Sequence, residues 1–149
     1  MTTRSSTPKR LLRTSALLLA FLAVGHTLGF LTLKAPTPEA RAVFDSMNAV
    51  RFAARGQSYS YGDFYRGFGL CVSAYLVFTA LLAWRLGDFV DAQPRLVASL
   101  TAYLLGLQVA NAVLAFAYFS LPPQGVSVLV VAVVGSAAWS VGRVKAATI

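Results

Sequence analysis

The sequence predicts an all-α fold: an integral membrane four-helix bundle with a short amphipathic helix in the first extracytoplasmic loop. Three observations predict it. Apolar residues make up 57% of the chain and charged residues only 12%, where a soluble domain carries about 25% charged residues. Four apolar stretches approach the ~20 residues that cross a ~30 Å hydrocarbon core. The basic residues border these stretches, as membrane topology requires. A mean hydropathy of +0.66 agrees.

The 149 residues suffice for one transmembrane domain. Its spans are read at about 14–33, 64–84, 96–121 and 126–141. The first follows Arg4, Lys9, Arg10 and Arg13, the layout of a secretory signal, with Ala23, Val24 and Gly25 resembling a cleavage site. The apolar run continues through Phe30, Leu31 and Leu33, too long for a signal, so it is expected to stay as a helix. Arg85 to Pro94 reads as a tight turn, and Leu121, Pro122 and Pro123 as a sharp end to the third helix. No internal repeat is evident.

Orientation follows from the basic residues. One side holds Arg4, Lys9, Arg10, Arg13, Arg85, Arg95, Arg143 and Lys145, eight in all. The other holds five: Lys34, Arg41, Arg51, Arg55 and Arg66. The richer side is expected to be cytoplasmic, with both termini there, in a multi-pass protein of the cell inner membrane. Trp84 and Trp139 then fall at the cytoplasmic interface, and Tyr59, Tyr61, Tyr65 and Tyr118 near the opposite one. The net charge of +8 is read as topology and attraction to anionic headgroups; nucleic acid is not an expected partner. The expected partners are membrane lipid, a membrane-protein partner, or a second copy of the chain.

The first loop has its own pattern. Thr37 can cap a helix that opens on Pro38 and Glu39. Val43, Met47, Val50 and Ala54 then recur at helical spacing with Phe44 beside them, and Gly56 is the expected stop. Such a helix would lie on the outer membrane surface or cover the bundle. Within the spans, Gly25 and Gly29, Gly69 and Ser73, and Ala132, Ser136 and Ser140 form small-residue steps that let helices approach. Gly29 and Gly69 are expected at helix contacts.

Polar groups inside spans mark where a function would sit, because lipid cannot satisfy them. His26 lies about 10 Å from the outer end of its helix at 1.5 Å per residue. Asp63 and Arg66 open the second span three residues apart, on one face. In the third span Thr101, Gln108, Asn111, Ala115 and Tyr118 share a stripe expected to face inward. His26, Asp63, Arg66, Asn111 and Tyr118 are therefore the candidate ligand-binding residues, expected to line one outer-half cavity or network beneath the loop helix. No catalytic set, cofactor or metal is assigned. A single histidine cannot complete a bis-His haem site, and the lone Cys71 provides no zinc framework.

Two stretches carry a resemblance. Gly25, His26, Thr27, Leu28 and Gly29 form a GHTLG step, and residues 58–70 read SYSYGDFYRGFGL. At these the chain resembles an uncharacterised family of small bacterial membrane proteins with four spans, over about residues 11–141. A looser similarity reaches other four-helix membrane proteins of the DoxX type. The first family implies the same span count but no activity, so no residue role carries over. Three functions stay open: a structural or accessory subunit of a membrane assembly; a module binding a lipid-like or quinone-like ligand; and an intramembrane enzyme with His26 and Asp63 as acid and base.

Overall fold

The computed structural model describes residues 6–32 and 34–146. Arg4 of the basic count and Leu33 at the first span's expected end lie outside them, as does the side chain of Lys145. Among the described residues the order is α1 (Ser6–Thr32), α2 (Pro38–Ala49), β1 (Arg51–Ala54), β2 (Gln57–Ser60), α3 (Tyr61–Phe89), α4 (Pro94–Tyr118) and α5 (Leu121–Ala146). The all-α class stands, with one small hairpin added. α1, α3, α4 and α5 are each long and apolar enough to cross a membrane.

Several boundaries differ from the sequence reading. α4 ends at Tyr118 rather than at Leu121. The prolines Pro122 and Pro123 do not terminate it; they occupy the first turn of α5, where a missing N–H leaves no bond unmade. α2 starts as expected, with Thr37 Oγ1 accepting from the Ala40 N–H at 3.2 Å. It does not run to Gly56. It stops at Ala49, and residues 51–60 form a hairpin pairing Arg51 with Ser60 and Phe52 with Tyr59. Arg55 and Gly56 make its two-residue turn with φ of 52° and 79°. Positive φ at both positions matches the twist of the flanking strands. The helical spacing of Val50 and Ala54 loses to this turn and to the alternation of polar and aromatic residues in β2.

The chain divides into two compact units. One joins α1 up to Phe21 with the described residues from Val77 onward. Its core is apolar and closely packed: Leu12, Leu86, Val90, Val97, Ala137 and Val141 form one buried cluster. Buried positions recur at steps of four and three along both α4 (Val97, Thr101, Leu104, Gln108) and α5 (Val130, Val134, Ala137, Val141). That spacing lets side chains of neighbouring helices interdigitate. The expected inward stripe of α4 is buried at Thr101, Gln108 and Ala115. Arg13 joins α1 to α3, with Nη2 3.1 Å from Asp88 Oδ1 and its guanidinium 4.7 Å over the Trp84 ring. Arg143 stands likewise over Trp139.

The other unit is residues 22–76: the rest of α1, all of α2, the hairpin, and the start of α3. Few of its apolar side chains are buried. Rings and hydroxyl groups hold it together.

Candidate functional site

The second unit contains the polar and aromatic features from which a site could be built. α3 begins with a reciprocal cap. The Ser60 N–H donates to Asp63 Oδ2 at 2.9 Å, and the Asp63 N–H donates to Ser60 Oγ at 3.1 Å. Serine three residues before an acid is the sequence form of this cap, which satisfies two otherwise orphaned donors. Asp63 is thus tied to the start of its own helix.

His26 has a different partner. Its Nδ1 lies 3.1 Å from Ser73 Oγ. Thr27 Oγ1 donates to the Ala23 carbonyl at 2.7 Å and is 2.8 Å from the same serine hydroxyl. Ser73 therefore links two adjacent polar residues of α1 to α3. It also reaches back towards the Gly69 carbonyl of its own helix, at 3.4 Å. One turn on, the His26 ring stacks over Phe30 with centroids 5.9 Å apart. Phe30 meets Tyr65 at 5.3 Å, and Tyr65 meets Phe44 of α2 edge-on at 6.0 Å. These separations suit offset and edge-to-face pairs.

Two glycines permit this arrangement. A Cβ at Gly69 would collide with the Phe30 ring, and one at Gly62 with the Asn48 side chain of α2. Gly69 is thus a helix contact, as expected. A Cβ at Gly29 would meet nothing within 4 Å, so that expectation is corrected. The Gly25 and Gly29 step faces away from neighbouring atoms, because Phe30 and the polar pair of His26 and Thr27 make the contact.

Between α1, α2 and α3 lies a cleft of about 190 Å³. Phe30 and Leu31 come from α1; Phe44, Met47 and Asn48 from α2; Gly62, Tyr65 and Arg66 from α3. α2 thus supplies one wall of this cleft. Of the five candidate residues only Arg66 lines it. His26 belongs to the Ser73 network and Asp63 to the helix cap. Asn111, partly buried and already engaged in an interaction of its own, lies on α4 in the other unit, as does Tyr118. Tyr118 is 77% exposed, not inward-facing, because it is the last residue of its helix.

Sequence reasoning misses Asn48, Gly62 and the hydroxyl role of Ser73. The serine signal was present: the Gly69 and Ser73 step marks a close approach, and a hydroxyl there can reach a polar group on the facing helix. Among the described residues no group of three or more His, Cys, Asp or Glu side chains could hold a metal ion. Outside the spans, Glu39 has its carboxyl held below the usual range, first by its own backbone N–H and then by Thr37. No family model, no curated protein and no solved structure matches the chain.

Proposed function

We propose that this chain is a small inner-membrane protein that crosses the bilayer four times and serves as a structural or accessory subunit of a membrane assembly. Both termini are cytoplasmic, and the loop helix and hairpin are on the other side. The eight-to-five distribution of basic residues supports this orientation, as do the Arg-Trp pairs near the termini. The bacterial setting rests on the resemblance at residues 25–29 and 58–70.

One observation carries the accessory reading: the polar side chains of residues 22–76 are used to build the fold. Asp63 caps its helix, and His26 and Thr27 meet Ser73. The cleft that Arg66 lines measures about 190 Å³, below the ~300–1,000 Å³ of ordinary small-molecule pockets. Asp63 and His26 have different hydrogen-bond partners, which favours the accessory reading over an acid-base pair. A second reading keeps some support. The guanidinium of Arg66 beside Tyr65, Phe30 and Asn48 offers a charged edge and aromatic walls to the head of a lipid-like or quinone-like ligand.

Native mass spectrometry of the full chain, extracted from its own membrane in mild detergent, separates the two. A stoichiometric protein partner, or a defined oligomer, is the expected result. A lone chain carrying one small molecule, lost in Arg66→Gln, would transfer the assignment to the ligand module.

A further inference from the structure

The hairpin has two unlike faces. Side chains alternate across a strand, so Phe52, Ala54, Gln57 and Tyr59 share one face, and Arg51, Ala53 and Ser58 the other. On the second face Arg51 Nε donates to Ser58 Oγ at 2.9 Å, and its Nη2 donates to the Ser58 carbonyl at 3.0 Å. The first face is aromatic. Phe52 lies 6.4 Å from Tyr59, 5.3 Å from Tyr61 and 5.5 Å from Phe64. Phe64 in turn lies 6.2 Å from Phe68, one helical turn further along α3. Tyr61, Phe64 and Phe68 all remain exposed, Phe68 at 67%.

We propose that this five-ring surface is seated in the lipid headgroup region, so that the hairpin is an interfacial anchor and not a loop projecting into water. The proposal rests on the membrane reading above. What identifies lipid as the occupant is continuity. The same ring surface runs without a break onto the exposed side of α3, a helix long and apolar enough to span. Tyrosine and phenylalanine at a span's end suit the boundary between hydrocarbon and water, where a phenol can meet water while its ring stays apolar. The opposite, Arg51-bearing face then points to water. A two-stranded hairpin alone is marginally stable, and such a seat supplies the missing support.

Ala53 and Ala54 are adjacent, both exposed, and on opposite faces, which makes them the probe positions. Nitroxide labels are placed on Ala53→Cys and Ala54→Cys, each with Cys71→Ala, in nanodiscs of phosphatidylcholine and phosphatidylglycerol. The native Cys71, exposed on α3, carries the label that reports the span. Accessibility is read as the ratio of collisions with oxygen to collisions with a water-soluble nickel chelate. The expected result is a ratio several-fold higher at 54 than at 53, with Cys71 oxygen-favoured. Equal, water-favoured ratios at 53 and 54 with Cys71 oxygen-favoured would overturn the anchor and leave the span intact. Water-favoured access at Cys71 would overturn both. Shielding of position 54 from both probes would assign the face to protein and overturn the lipid seat.

Discussion

The two units of this molecule are held by different means. The unit with the chain ends has a core of Leu, Val and Ala side chains, several fully buried, at the four-and-three spacing of interlocking helices. Residues 22–76 bury little that is apolar. Their contacts are stacked rings, a serine shared by His26 and Thr27, and a reciprocal helix cap. Dispersion is non-directional and tolerates change in many small steps. Hydrogen bonds and ring pairs depend on particular atoms at particular places. The first unit should therefore set the stability of the chain, and the second should be where single atoms decide structure.

The strongest way to break this comparison is to open the apolar core. Leu12 is completely buried within its cluster. Leu12→Ala should lower stability by roughly 2–5 kcal/mol, the usual range for such a cavity. Thermal unfolding in detergent checks it, and an unchanged melting temperature would deny that this cluster bears the load.

A next-largest effect separates two glycines of the second unit. Gly69→Ala drives a methyl into the Phe30 ring and should destabilise by about 1–3 kcal/mol. Gly29→Ala meets open space and should be neutral or stabilising by up to about 1 kcal/mol through helix propensity. Equal melting temperatures for the two variants would mean that Phe30 does not seat against Gly69.

Ser73→Ala sharpens the comparison on a smaller scale. Interhelical hydrogen bonds in membranes average about 0.6 kcal/mol. The loss should be of that order, and His26→Phe should add little to it in the double variant, because both remove the same contact. Full additivity in the melting temperatures would show that the two side chains do not interact.

The smallest expected effect is at Glu39. Its depressed folded-state pKa means that its contribution is present above the ordinary glutamate value and lost as pH falls through the lower, folded one. The protection of the Ala40 amide, taken relative to its intrinsic exchange rate at each pH, should fall across that acid window as the first turn of α2 loosens. Glu39→Gln should abolish that pH dependence.

Much of the fold was legible because hydropathy and length act over many residues. Four spans appear as four apolar runs whichever few residues are misjudged, and the cap at Thr37 and Pro38 is read from local chemistry. The hairpin was hidden because Val50 and Ala54 continue by chance the helical period of Val43 and Met47 in α2, while the turn depends on Arg55 taking a left-handed conformation that its side chain does not favour. The polar residues of the candidate site were legible, but neither their depth nor their partners were. The sequence puts His26, Asp63 and Arg66 near one level, whereas His26 meets Ser73, and Asp63 lies about 15 Å back along α3 at the helical rise. The Ser60 and Asp63 cap is local and was readable as a serine three residues before an acid, but the capture of His26 by Ser73 depends on which atoms of neighbouring helices come within 3 Å or so. Tyr118 was misjudged for a simpler reason: a helical wheel carries no knowledge of where a helix stops.

The central proposal is that the chain crosses a membrane four times with the hairpin on the side opposite the α3–α4 turn. The most direct test is cysteine accessibility in intact cells expressing the chain with Cys71→Ala and one added cysteine. Gln57→Cys in the hairpin and Ala92→Cys in the turn are both exposed positions. A membrane-impermeant maleimide should label position 57 in intact cells and position 92 only after the membrane is opened. Labelling of both in intact cells, or of position 92 alone, would contradict the account.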